Sequence, residues 1–243
     1  MIKFGEFVDM KIEVDTHTHT CCSTHAFGTI CENAAAAAKC GLRMLCMTDH
    51  TPALPDAPHL WHFKTLSRLP REIEGVKILF GAEANLLDTE GNIDLPSEIQ
   101  NGLDVIVASI HIPVYMRQTS AEHTKTYLGA LKNPNITILG HTGDYRFPYN
   151  IDEVTAAAAK YHKCIEINNN SCKNPKNADN YREIIAACKR NGTLVAVSSD
   201  AHTPFEIGCF DAAVNLLEEA DFPPAQIANL TVERFEEFLN GIK

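Results

Sequence analysis

Seven histidines, one glutamate and one aspartate stand at the ends of short apolar or β-branched runs: His17, His19, His25, His50, Glu83, His111, His141, Asp200 and His202. Neutral imidazoles and carboxylates bind divalent metal ions, and nine of them exceed the roughly four to six ligands that one ion uses. In extended backbone, residues two apart point the same way, so His17 and His19 can share an ion while Thr18 turns aside. A carboxylate has two oxygens and can hold two cations, which makes Glu83 the candidate bridge. Nine ligands with one shared give about ten bonds, enough for roughly three sites with positions left for water and substrate. Asp15 and Asp49 stand close enough in sequence to hold the outer nitrogen of a metal-bound imidazole. Asp49 could equally cap a helix.

The runs that carry these residues alternate with segments of helical period, the pattern of repeated βα units around a parallel sheet. Seven strands are predicted, roughly Lys11 to Asp15, Met44 to Thr48, Lys77 to Glu83, Val105 to Ser109, Thr137 to Leu139, Cys164 to Ile167 and Leu194 to Ser198. Helices are predicted over Ile30 to Cys40, the alanine run of the 150s and Tyr181 to Arg190, with Gly41 and Gly192 placed for left-handed caps. The runs Ala34 to Ala38 and Ala156 to Ala159 read as tight helix faces against the sheet. Thr51 to Pro70, rich in Pro and His, reads as a long loop over the site. In a parallel α/β barrel every strand C-terminus opens on one face. The nine candidate ligands then converge, His25 joining them from the loop after the first strand. The expected fold is α/β, a barrel with its active site at the C-terminal ends of the strands.

At 243 residues and 45% hydrophobic, the chain fits one domain spanning residues 1–243. The first nine residues, before Met10, read as an extension or a misplaced start. A net charge of -10 repels nucleic-acid phosphates at long range, so no nucleic-acid partner is expected and a phosphate substrate needs metal ions or a local basic group. Neither a signal peptide nor an apolar run of about 18 residues is present, which points to the cytoplasm and to no membrane partner. Nine cysteines, with Cys40, Cys46, Cys164 and Cys188 inside apolar patterns, fit a reducing compartment. No Ser or Cys nucleophile with an adjacent base is evident, and the histidines near the site are spent on metal, which argues against a covalent triad. His59 and His62 flank Trp61 and could close over a substrate; Arg146, just after His141, could hold a phosphate. His123 and His162 read as surface residues.

The stretches Asp15-Thr16-His17-Thr18-His19 with His25, Thr48-Asp49-His50, Gly81-Ala82-Glu83, Ser109-Ile110-His111, Gly140-His141 and Ser199-Asp200-Ala201-His202 span nearly the whole chain. On these residues it resembles the PHP (polymerase and histidinol phosphatase) metal-dependent hydrolases. The segments Asp56-Ala57-Pro58-His59-Leu60-Trp61-His62-Phe63 and Glu166-Ile167-Asn168-Asn169 resemble the small stand-alone bacterial YcdX-type subgroup. The resemblance implies a distorted seven-stranded (β/α)7 barrel and three divalent metal ions, most often zinc, with manganese or iron in relatives. By position, one ion would take His17, His19, Glu83 and Asp200, a second Glu83, His111 and His141, and a third His25, His50 and His202. A homo-oligomer is implied by resemblance alone. Thr142 and Gly143-Asp144-Tyr145-Arg146 depart from the family pattern, which bears on loop shape and substrate choice.

A divalent cluster lowers the pKa of bound water and screens a phosphate's charge, so a metal-bound hydroxide attacking phosphorus in line is the expected chemistry. The expected activity is phosphomonoester hydrolysis of a small phosphorylated metabolite. Alternatives are a histidinol-phosphate phosphatase or phosphodiesterase of the same family, an amidohydrolase-like hydrolase, and a non-catalytic metal-binding PHP module. Ligand counting predicts about three transition-metal equivalents in the purified protein. Elemental analysis finding none bound after loading would remove the premise.

Overall fold

The computed structural model describes residues 10–242, so the N-terminal extension expected over residues 1–9 lies outside the described residues. Eight strands are present there: β1 (Val14–Thr18), β2 (Met44–Met47), β3 (Glu72–Ile73), β4 (Val76–Asn85), β5 (Val105–Ser109), β6 (Ile138–Leu139), β7 (Cys164–Asn168) and β8 (Val195–Ser198). They alternate with α1 (Ile30–Cys40), α2 (Leu60–Thr65), α3 (Ser97–Gln100), α4 (Ser120–Ala130), α5 (Ile151–Lys160), α6 (Asn169–Cys172), α7 (Pro175–Asn191), α8 (Asp211–Glu219) and α9 (Val232–Ile242). Seven strands run parallel in the order β1-β2-β4-β5-β6-β7-β8, and a parallel bridge from Thr18 to Ala201 spans the remaining gap. The result is a nearly closed (β/α) barrel.

Side-chain parity along the strands sorts the barrel interior into two levels. Val14, Met44, Cys46, Leu79, Val105, Val107, Ile138, Cys164 and Ala196 form one buried apolar cluster, completed by Val232, Phe235 and Phe238 of α9. Their neighbours in sequence, such as Leu45, Ile78, Phe80, Ile106, Leu139, Ile165 and Val197, belong instead to the larger cluster shared with the surrounding helices. Successive residues alternate faces, so Glu83 and Asn85 on β4, Ser109 on β5, Glu166 and Asn168 on β7 and Ser198 on β8 share the inward parity. The barrel therefore has an apolar floor, closed by α9, and a polar roof towards the strand C-termini. Burying each large floor side chain contributes about 1.5–3 kcal/mol, which offsets part of the cost of the polar layer above it.

Local signals hold the helices as their sequences predict. Thr29 and Glu32 make a reciprocal capping box at the start of α1, and Gly41 closes it at φ 84° in the left-handed region. Ala34 and Ala37 are its buried small positions. Helix α7 begins at Pro175, with Asn174 as its cap, several residues ahead of the predicted start at Tyr181.

Other expectations are corrected. Strand β1 extends through Thr18, so His17 is inside a strand rather than after it; β4 continues two residues past Glu83 because Asn85 pairs with Ser109 of β5. Strand β3 was not anticipated: Glu74 and Gly75, with φ of 54° and 76°, turn it antiparallel onto β4. The stretch from Thr51 to Pro70 is not all loop, since Phe63 and Leu66 are buried and shape α2 and a following 3-10 turn over Leu66–Arg68. All nine cysteines are free; Cys46, Cys164 and Cys188 are core residues, but Cys40 is exposed at the end of α1. His123 is fully buried rather than on the surface: its Nδ1 donates to Pro148 O at 2.8 Å while its Nε2 accepts from Gln118 N at 3.1 Å.

The loop after β6 rests on the buried Tyr181 ring of α7. A Cβ on Gly143 would lie 2.4 Å from that ring, closer than any real contact. Gly143→Ala is therefore expected to destabilise the protein by about 1–3 kcal/mol, the usual cost of overpacking, measured by chemical denaturation. An unchanged midpoint would show that the loop yields freely.

Candidate metal centre

Glu83 is the middle of the site. It is buried on β4, and five histidine nitrogens surround its carboxylate. Oε2 faces His17 Nε2 at 3.4 Å, His19 Nε2 at 3.6 Å and His50 Nδ1 at 2.7 Å, while Oε1 faces His111 Nε2 at 3.1 Å and His141 Nε2 at 2.9 Å. Asp200 adds a second carboxylate to the first group, with Oδ1 at 3.6 Å from His17 Nε2 and 3.2 Å from His19 Nε2. Each Glu83 oxygen thus faces its own set of histidines.

The rings are held from outside the cluster. His17 Nδ1 donates to Glu166 Oε1 at 2.7 Å and His111 Nδ1 donates to Asn85 Oδ1 at 2.8 Å, which leaves Nε2 of each neutral ring as a bare lone pair aimed inward. His202 Nδ1 donates to the Asp200 carbonyl at 2.9 Å, and His25 Nδ1 pairs with Asp56. Glu166 also accepts from His141 N and Ser198 Oγ, both at 2.5 Å, so one buried carboxylate orients residues of three strand ends. Asn168 Nδ2 donates to Asp200 Oδ2 at 3.1 Å. Two residues of the centre, His141 and Asp200, have φ of 26° and 55°, unusual for residues with side chains.

Electrostatically the centre demands positive charge. Burial pushes Glu83 up, but His111, His17 and His50 outweigh it and hold the carboxyl well below its usual range. Burial likewise pushes Asp200 up, and His17 and His19 carry it below the usual range. Conversely, burial opposes the charged form of His17, yet Glu83, Glu166 and Asp200 lift its pKa well above the ordinary value. His19, dominated by burial, falls to about 4.

The donor set fits divalent ions. His17 and His19 bring Nε2 atoms within 3.1 Å, and His111 and His141 within 3.2 Å. Such spacings suit ligands of a common cation. Buried Glu83 Oε2, His50 Nδ1 and His19 Nδ1 make no hydrogen bond among the described residues. His17, His19 and Glu83 can share an ion, as can His50, Glu83 and His111, or His19, His50 and His202. His25 lies beside the third group, its ring 5.1 Å from His50 and 4.5 Å from His202, and is half exposed.

All nine expected residues therefore meet at the strand C-termini. The expected substrate contacts divide. Arg146 lines the cleft above the centre, where Asp144 holds its guanidinium at 2.6 Å. His59 and His62 do not line that cleft: His59 caps α2 by accepting from Trp61 N at 3.2 Å, and His62 turns towards Cys22 and Asp49. A cysteine with a neighbouring base thus exists, brought together by the turn into α2. Asp49 caps no helix. It accepts from Thr20 N and Oγ1 at 2.8 and 2.7 Å and from Ser23 Oγ at 2.8 Å, fixing the loop that leads from His19 to His25. Asp15 holds Ser199 N and Gly208 N rather than an imidazole. Glu166 and Asn85 were missed as ring anchors, although a carboxylate inside the apolar run Cys164–Asn168 is itself a signal.

Glu166→Gln removes the charge that orients His17. It should weaken metal affinity by about 10–100-fold, the usual cost of losing an outer partner, as read by competition with a chromogenic chelator. Unchanged affinity would mean that His17 needs no such anchor.

Residues 15–171 match the PHP domain. The chain is 43% identical to a protein named "Probable phosphatase" from Caldanaerobacter subterraneus subsp. tengcongensis, over 95% of this chain and 92% of the relative. It is 41% identical to a "Probable phosphatase" of Acetivibrio thermocellus, over 96% of this chain and 98% of that one. In fold it is similar to the histidinol phosphate phosphatase of Lactococcus lactis subsp. lactis, solved with zinc, L-histidinol and phosphate, at a TM-score of 0.63 and 22% identity, covering 87% of this chain and 94% of that one. Matched by the family model over residues 15–171 and by a 43% identical relative over 95% of its length, the chain belongs to the PHP domain family.

Proposed function

We propose that this protein is a metal-dependent phosphomonoesterase that hydrolyses a small phosphorylated metabolite at a trinuclear centre, with zinc the best-suited ion. The observation that carries the reading is the Glu83 carboxylate, whose two oxygens face separate histidine groups. His17, His19, Glu83 and Asp200 would hold one ion, Glu83, His111 and His141 a second, and His25, His50 and His202 a third. The names of the relatives support phosphatase chemistry.

Charge in the cleft supports the need for ions. The cleft measures about 570 Å³ and is lined by four carboxylates, Asp56, Glu83, Asp144 and Asp200, against the single guanidinium of Arg146. An anionic substrate would be repelled by that balance without added cations. Bound divalent ions supply charge screening for the phosphate and activation of water. The chain's own groups do the rest. Arg146, pre-positioned by Asp144, offers donors to a phosphate oxygen, and Ser171 and Asn177 add polar groups to the wall. Leu54, Pro55, Ile110, Ile112 and Pro113 give an apolar side against which a leaving group can rest. The volume suits a small metabolite and the acidic rim disfavours a polyanion.

Aryl-phosphate hydrolysis should be lost on chelation and restored by zinc or manganese. His17→Ala and Glu83→Ala are each expected to lower kcat/KM by roughly a thousandfold or more, beyond the 10–100-fold of an outer partner. A phosphometabolite panel then reads the leaving group. Amide hydrolysis without phosphatase activity, or full activity in the metal-free protein, would overturn the proposal.

A further inference from the structure

A second cluster of metal-ligating groups lies outside the histidine centre. Cys22 follows β1, Asp49 follows β2 and His62 sits on α2, and one ligand atom from each falls within 4.8 Å of the others. Asp49 is 1% exposed. Its Oδ2 lies 3.3 Å from His62 Nε2, and that buried nitrogen makes no aligned hydrogen bond among the described residues. Cys22 and His62 also line a separate cleft of about 410 Å³, walled by Ile30, Met47, Leu66 and Leu69, through which an ion can enter.

We infer that Cys22, Asp49 and His62 form an accessory site for zinc or another thiophilic divalent ion. Sulfur, imidazole and carboxylate donors together match zinc's preferences, and three protein ligands leave a position open. The separation of Oδ2 and Nε2 suits two ligands of one cation. Cys22 is suited to act as a thiolate, because the adjacent His62 imidazole draws its thiol below the ordinary value. Asp49 brings its ligand oxygen already fixed, since three hydrogen bonds from Thr20 and Ser23 restrain the carboxylate. An ion there would tie α2 to the two loops that carry His19, His25 and His50. It would thereby stiffen the frame of the histidine centre without entering it.

Cobalt reports this site separately, because none of the nine residues of the main centre is a cysteine. The full-length protein loaded with excess cobalt should show a near-ultraviolet thiolate-to-cobalt charge-transfer band and bind one equivalent more than Cys22→Ser. The band should vanish in Cys22→Ser, while the remaining cobalt stays bound. His62→Gln, which keeps a polar side chain of nearer volume on α2, should also lose the extra equivalent. Absence of the band in the wild type, or its persistence in Cys22→Ser, would overturn the inference and leave a plain ion pair between His62 and Asp49. Retention of the other equivalents in either variant separates this outcome from failure of the histidine centre.

Discussion

The structure depends on carboxylates buried inside the upper half of a barrel. Glu83 and Glu166 are 1% and 0% exposed, and removing an ionised carboxylate from water costs several kcal/mol unless charge and hydrogen bonds offset it. The barrel meets that demand with histidines drawn from different strand ends. Protons or cations must share the space among them, and the pulls on Glu83, Asp200 and His17 express the same deficit of positive charge from three sides. Metal chemistry follows from this deficit as much as from the number of imidazoles.

Meeting it requires two levels of rigidity. The apolar floor of Val14, Met44, Leu79, Val107, Ile138 and the α9 phenylalanines fixes the strands. The polar roof then fixes rotamers and tautomers through Glu166, Asn85 and Asn168, while Asp49 fixes the loop that carries His25. The left-handed backbone at His141 and Asp200 is tolerated because Glu166 accepts from His141 N at 2.5 Å and His17 O accepts from Asp200 N at 3.0 Å. At these two positions the left-handed backbone belongs to residues whose side chains face the centre.

The segment leading into and through α2 links the two clusters of candidate ligands. Asp56, ahead of the helix, holds His25 at the mouth of the main centre, and His62 on the helix reaches Cys22 and Asp49 on the far side of the His19 loop. One short segment therefore touches both sides of the loop after β1. Its buried Phe63 and Leu66 anchor it to the main core, while Trp61 remains largely exposed.

The nine central residues and the barrel were legible in the sequence, because parallel strands with period-two side chains leave few ways to gather residues that sit at strand ends. Boundaries were less so. His17 proved interior to β1 and Glu83 to β4, since strand length is set by the partner's register and not by local composition. The buried His123, the anchors Glu166 and Asn85 and the meeting of His62 with Cys22 were decided only by tertiary structure. Their partners lie far away in sequence, at separations such as 149 residues for His17 and Glu166. Sequence by itself determined which candidate ligands exist and that they converge. The folded barrel decided which nitrogen of His17 and of His111 faces inward, because that choice belongs to the oxygen of Glu166 or Asn85 on the ring's other side.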